Sequence, residues 1–295
     1  MPSAPQGSLR IRFPRDTKGH SESMIIYGSK MYFKKNVVKH FGECEHCGRY
    51  SRKNSYQAQK FGHLYFIPLL PLGSRSQILG ECVSCNMGSH IPLAQAEPMV
   101  ESLNERFKQW ILEIQEGKTE IVPEGETEPV SVGLLIAGTV DSLYSLGELK
   151  SIDSVSQILQ DCDMAYENEL VLGRWCETLG DLAQAVVHYR QAAKIRPDET
   201  APIYQVAASL KRAGDLAGAI NGLKRYLDKV PDDLGVHAEL ASIYEAQKDF
   251  PSIVETYDKI YALEPSLVSN KAMKKVYKKA CKKSGKQGEY LAQIG

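Results

Sequence analysis

Apolar residues between Tyr166 and Pro265 recur at helical steps and are interrupted at even intervals. Pro197, Pro231 and Pro265 stand 34 residues apart, and so do the turn pairs Gly180-Asp181, Gly214-Asp215 and Lys248-Asp249. Evenly spaced helix breakers signal one supersecondary unit repeated, and this period is that of a helix–turn–helix unit that stacks into a solenoid. The units read as 166–199, 200–233 and 234–267. Asn270 to Lys286 follows with eight lysines spaced around Met273, Val276, Tyr277 and Cys281, the pattern of a basic amphipathic helix capping the array over 268–286. A stack of this kind presents a groove and carries no preformed chemistry.

Upstream the period shortens. Met24–Tyr27, Ser29–Lys34, His63–Ile67 and Gln77–Glu81 read as short strands, giving a β-rich module over 24–90. A helix follows over 91–117, with Leu103, Phe107, Trp110, Ile111 and Ile114 on one face. The acidic, Pro- and Gly-containing stretch 118–129 reads as a linker and the domain boundary. Val130–Tyr144 and Ser154–Asp161 suggest two more helices, a degenerate hairpin opening a helical domain over 130–295. Residues 1–23 read as a disordered, mildly basic arm. The expected fold class is two-domain, a small β-rich module followed by an all-α solenoid.

The seven cysteines sharpen this picture. Cys44-x-x-Cys47 and Cys82-x-x-Cys85 lie within the β-rich module; Cys162, Cys176 and Cys281 lie in helical pattern and read as buried apolar residues. Two facing C-x-x-C turns offer four thiolates to one tetrahedral ion, and each turn needs a residue tolerant of positive φ after its second cysteine. Gly48 and Asn86 stand there. Four thiolates leave no open position for water, so the site reads as structural, holding one zinc ion. An iron-thiolate redox centre is the alternative; a thioredoxin-like dithiol is weaker, because two pairs argue for shared ligation. His46 is an unneeded fifth donor, and His40, His63 and His90 read as surface or packing residues.

Ile25-Ile26-Tyr27-Gly28, Cys44-x-x-Cys47-Gly48, Leu64 through Gly73 (Leu-Tyr-Phe-Ile-Pro-Leu-Leu-Pro-Leu-Gly) and Cys82-x-x-Cys85 together resemble a small zinc-ribbon family over residues 24–90. The family carries a Phe-Ile-Pro-Leu-x-Pro-Leu-Gly segment between its cysteine pairs. The resemblance implies zinc on Cys44, Cys47, Cys82 and Cys85 and brings no activity with it. Asn86, where glycine is usual, and the long lead-in before Cys44 depart from the pattern. The leucines of Phe66–Gly73 are expected to pack on the ribbon or a neighbouring domain, with an exposed docking patch as the alternative. From Tyr166 the chain resembles tetratricopeptide repeats, through Leu172, Gly173, Gly180, Ala185, Tyr189, Ala192 and Pro197; Val206, Ala207, Gly214, Ala219, Leu223 and Pro231; and Leu240, Ala241, Tyr244, Tyr257 and Pro265. Glu169, His237, Tyr226, Ile260 and Lys248 depart from it.

That resemblance places the first helix of each repeat along a groove for a partner peptide or helix. Arg174, Glu177, Tyr204, Lys211 and Glu245 are the candidate contacts, since Tyr and Arg are favoured anchors. Positions that clamp a terminal carboxylate in some relatives hold Leu170, Arg174, Gln205, Gly235 and Glu239 here, which disfavours that ligand.

Formal net charge is zero, so bulk electrostatics announces no partner. The charge is uneven, with basic residues in excess at both ends around an acidic middle. Basic side chains near the cysteines make nucleic acid the alternative partner, although Glu43, Glu45 and Glu81 sit at the knuckles. The longest apolar run, Val130–Val140, is too short to span a bilayer, which needs about 20 residues. Met1–Glu22 lacks the apolar core of a secretory signal, and the cysteine usage fits a reducing, cytoplasmic setting. No phosphate-cradling loop, open metal site or nucleophile–base arrangement is legible, so the expectation is a non-enzymatic adaptor.

Overall fold

The computed structural model describes residues 9–10, 25–64, 67–122, 127–149 and 152–294. The expected disordered arm lies outside the described residues apart from Leu9–Arg10. Contacts divide the chain into two compact units, Met1–Asp181 and Leu182–Gly295, so the division falls inside the first repeat.

The first unit opens with an antiparallel sheet in which sequential strands are neighbours: β1 (Leu9–Arg10), β2 (Ile25–Glu43), β3 (Tyr50–Leu64), β4 (Ile67–Cys82) and β5 (Ser89–Pro92). Of the short strands expected from the apolar pattern, Ser29–Lys34 and the described part of Met24–Tyr27 belong to β2 and Gln77–Glu81 to β4, whereas His63–Ile67 is no single strand, since β3 ends at Leu64 and β4 begins at Ile67. Tyr27 pairs with Leu64 at one end of the β2–β3 hairpin and Glu43 with Tyr50 at the other. The polar stretch 49–62 hides this continuity, because β3 buries only scattered side chains. Tyr56, Ala58 and Ile78 form a small core with Met31 against it. β2 is broken by register shifts between Tyr32 and Lys35 and between Lys35 and Val38, where Phe33 and Asn36 adopt φ of 58° and 51°. These are β-bulges, which re-aim side chains.

α1 (Leu93–Gln115) starts directly after β5. The stretch expected to be a linker is closed at its base, because β6 (Glu120–Ile121) pairs with β7 (Val130–Ser131). α2 (Val132–Leu146), α3 (Asp153–Asp161) and α4 (Ala165–Leu179) complete the unit. They bury Ile136, Val140, Val155, Leu159 and Val171 together with Ile114 of α1, with Phe107, Trp110 and Ile111 packed alongside. Trp175 meets Tyr144 edge-on with centroids 4.9 Å apart.

The knuckle end of the β2–β3 hairpin docks on the C-terminal ends of α2 and α4. Tyr144 Oη donates to the Lys39 carbonyl at 3.2 Å, and Tyr50 Oη to the Glu177 carbonyl at 2.8 Å. The Glu177 carbonyl also accepts the Gly180 N–H at 3.0 Å, so Tyr50 adds a second donor to the C-terminal cap of α4. Gly180 ends α4 with φ of 86°, and the Phe41 ring lies against it.

The second unit is an all-α array: α5 (Leu182–Ile195), α6 (Ala201–Arg212), α7 (Leu216–Leu227), α8 (Leu234–Gln247), α9 (Phe250–Leu263), a 3-10 turn at Pro265–Ser269, α10 (Lys271–Ser284) and α11 (Leu291–Ile294). From α5 to α10 each helix packs on the next. Asp215, Asp233 and Asp249 cap α7, α8 and α9 by accepting from the N–H groups of Gly218, Val236 and Ser252. The small residues bring helices close, since a Cβ on Gly222 would stand 2.7 Å from that of Ala207. α10 turns Tyr277, Ala280 and Cys281 into the core, where the rings of Tyr257 and Tyr261 meet Tyr277 and the Tyr290 N–H donates to Tyr277 Oη at 3.2 Å. Its lysines face outward, as the amphipathic pattern predicts. The protein is thus a β-rich module followed by an all-α array of helical hairpins.

Candidate metal centre

The two hairpin turns at one end of the sheet have the same construction. After Cys44, the Gly48 N–H donates to the Cys44 carbonyl at 2.8 Å, and the Cys44 N–H to the Arg49 carbonyl at 3.0 Å. After Cys82, the Asn86 N–H donates to the Cys82 carbonyl at 2.8 Å, and the Cys82 N–H to the Met87 carbonyl at 2.9 Å. Both turns close through a residue at positive φ: Gly48 at 66° and Asn86 at 57°. Asn is the side chain best able to replace glycine there, because its short polar group suits the left-handed region.

These turns bring the four cysteines together. Their sulfurs all lie within 4.8 Å of one another. Cys44 Sγ is 3.6 Å from Cys85 Sγ, and Cys47 Sγ is 3.9 Å from Cys82 Sγ. A disulfide needs about 2.0 Å, so none of these contacts is one. Four sulfurs bound at about 2.3 Å around a tetrahedral zinc stand about 3.8 Å apart, so the cluster has the dimensions of such a site. Cys44 and Cys82 are buried, and Cys47 and Cys85 are half-buried. His46, in the first turn, is exposed and not part of the cluster.

The sulfurs sit in unequal fields. Ser51 Oγ stands 3.1 Å from Cys82 Sγ and the Ser84 N–H donates to it at 3.3 Å. The Ser51 contact leads in pulling the Cys82 thiol down to about 5. The Cys47 N–H leads in lowering Cys44. At Cys85 the Met87 N–H pulls the thiol down, but burial and the sulfurs of Cys44, Cys82 and Cys47 outweigh it and push it up to about 12. Four adjacent thiolates repel one another, so the donor set carries its full negative charge only around a cation.

Two contributors escape a reading of the sequence alone. Ser51 reaches Cys82 from the adjoining strand, a pairing that only the β3–β4 register creates. Gly88 follows the second turn, where a Cβ would stand 2.8 Å from Glu81 Cα and 2.9 Å from its backbone nitrogen. The spacing two residues after Asn86 was its one visible signal. His40 and His63 are buried as packing residues, and burial, with the Lys53 charge second, pushes His40 down to about 4.

The expected groove residues fall into local networks. In the first unit Arg174 pairs with Asp141 and, at 3.4 Å, with the buried Glu177, while Thr178 donates to Asp141. In the second unit Tyr204 Oη and Lys211 Nζ both donate to Glu239, at 2.9 and 2.7 Å, and Glu245 accepts from Tyr257 Oη at 2.8 Å. Asp141 and Glu239 are the organising acids. Glu239 was visible only as an acid at a position where a carboxylate clamp needs a cation.

No family model matches the chain. TPR repeat protein oca3 of Schizosaccharomyces pombe is 30% identical over 97 residues, which are 33% of this chain and 34% of that protein. The chain thus spans about a third of the length of the curated relative it matches. Among solved structures, the TPR2B-domain:pHsp70 complex of yeast Sti1 overlays with a TM-score of 0.34 at 23% identity, covering 41% of this chain and 98% of that one. A crystal structure of MamA overlays at 0.41 and 15% identity, covering 56% of this chain and 91% of that one. No helix among the described residues is long and apolar enough to cross a membrane.

Proposed function

We propose that this protein is a non-enzymatic adaptor whose helical hairpins bind a peptide or helix of a partner protein, while a structural zinc ion holds the sheet module in shape. The observation that carries the reading is the array of helical hairpins at 34-residue spacing, together with the similarity to a protein named for such repeats. The four-sulfur cluster supports a closed metal site and not an open catalytic one. The Tyr204–Lys211–Glu239 network offers a partner both donors and an acceptor on neighbouring helices. Its acid argues against a clamp for a terminal carboxylate and for a ligand carrying a hydroxyl, amide or cation.

Affinity capture with the full chain tests this. A partner retained by the wild type should be lost on Tyr204→Ala/Glu239→Ala, with metal content unchanged. Retention by the double variant would refute binding through this network. Metal analysis should return zinc; iron with visible charge-transfer absorption would replace the structural reading by a redox one.

A further inference from the structure

The sheet has two ends, and only one holds the cysteines. At the other end, around the β3–β4 turn, the leucines expected to pack against the protein are in solvent. Ile67, Leu69, Leu70 and Leu72 are 61%, 57%, 67% and 44% exposed. Phe33 is 59% exposed and meets Phe61 edge-on at 5.2 Å. Its φ of 58° at a β-bulge is strained backbone for a bulky side chain, held so that the ring projects from the sheet. Consecutive residues Leu69 and Leu70 are both exposed, so among the described residues this tip presents apolar side chains on both faces.

Charge and backbone narrow what covers it. Residues 25–42 and 46–80 contain nine Lys and Arg and no Asp or Glu. Lys30, Lys60 and Arg75 lie in the strand segments that carry the apolar tip, through the pairs Lys30↔Phe61, Met31↔Lys60 and Gln59↔Arg75. Glu81, the acid nearest in β4, is occupied by Lys34 and Tyr56. A second copy of this end would bring like charges together. The free edge of β4 is not built for strand addition either, because Pro68 and Pro71 remove N–H donors from it. Nucleic acid would use the cations but leave the leucines in water. A surface that is apolar at its tip, aromatic at its shoulder and purely basic at its rim matches the headgroup boundary of an anionic bilayer.

We infer that this end of the sheet docks on anionic lipid bilayers, with Leu69, Leu70 and Phe33 entering the headgroup–acyl boundary and Lys30, Lys60 and Arg75 meeting lipid phosphates. The attachment is peripheral and needs no membrane-spanning segment. It is independent of the partner groove.

Cosedimentation of the full-length protein with vesicles tests it. Vesicles of phosphatidylcholine with about 30% phosphatidylserine should retain the protein and pure phosphatidylcholine should not. Leu69→Asp/Leu70→Asp should lower the partition coefficient about tenfold or more, with metal content and melting temperature unchanged. Lys30→Gln and Lys60→Gln should each lower it about fivefold. Leu70→Trp should show a blue shift of its emission on anionic vesicles. No retention, retention indifferent to the leucine substitutions, or an unshifted tryptophan would overturn the inference. So would RNA binding that survives Leu69→Asp/Leu70→Asp without vesicle binding, or a dimer that the same substitutions dissolve.

Discussion

Gly180 and Gly214 occupy the same place in successive repeats and share a backbone conformation, with φ of 86° and 85°, yet their surroundings differ. A Cβ on Gly214 meets nothing within 4 Å. One on Gly180 would stand 2.6, 2.7 and 2.9 Å from three carbons of the Phe41 ring, where carbons normally rest about 3.5–4.0 Å apart. Phe41 has little room to yield, because it stacks on Tyr50, which is tied to the Glu177 carbonyl. Gly214→Ala should therefore cost only the left-handed backbone penalty, about 1–2 kcal/mol. Gly180→Ala adds an overpacking term of about 1–3 kcal/mol, for a total of about 2–5 kcal/mol. Both tryptophans, Trp110 and Trp175, lie in the first unit, so urea unfolding followed by their fluorescence reads the Gly180 variant. Hydrogen exchange of α6 and α7 reads the other. In a double-mutant cycle, Phe41→Ala should recover about 1–3 kcal/mol of the Gly180→Ala cost. Equal costs at the two glycines, or no coupling to Phe41, would refute the docking of the hairpin on α4.

Three further outcomes follow from the same contacts. Cys44→Ser should abolish stoichiometric metal binding and remove a stabilisation on the order of 10 kcal/mol from the sheet, while exchange protection in α6–α9 persists; metal analysis with hydrogen exchange checks both. His40 is neutral in the fold down to about pH 4, against its usual 6.5 in the unfolded chain, because burial disfavours its charge. The unfolded chain binds more protons between those values, so this contribution is full above pH 6.5 and lost as pH falls toward 4. It amounts to at most about 3 kcal/mol, and His40→Gln should flatten that part of the stability–pH curve. Lys248 holds φ of 58° where the other repeats have glycine, so Lys248→Gly should raise the stability of the second unit by about 1 kcal/mol in thermal unfolding.

Those predictions rest on features of unequal visibility in the chain. The repeat cadence and the cysteine pairs were legible because each has a fixed spacing with one physical reading, a helix breaker per turn or two thiolates per knuckle. Gly48 and Asn86 were legible for the same reason. The long strands were not, because β3 carries Arg52, Lys53, Asn54, Gln57 and Gln59 through its length and has no apolar alternation to betray it. The Leu69–Leu72 run misled in the opposite direction. Apolar residues ordinarily predict burial, and nothing local distinguishes a run that is covered from one that is presented. Ser51 and the Phe41–Gly180 contact depend on register and docking, which no spacing encodes.

The sheet's own core, Tyr56, Ala58 and Ile78, is too small to hold strands of 15 to 19 residues in one register. What remains to fix them is the four-cysteine cluster at one end and the tyrosine anchors from β3 and α2 close beside it. Both constraints act at the knuckle end, and toward the other end the bulges at Phe33 and Asn36 interrupt β2. A segment with that little support does not keep aromatic and leucine side chains in solvent for the sake of stability. Their exposure is a property of the surface that the sheet carries, while Tyr50 and Tyr144 tie the opposite end, beside the four cysteines, to the helices.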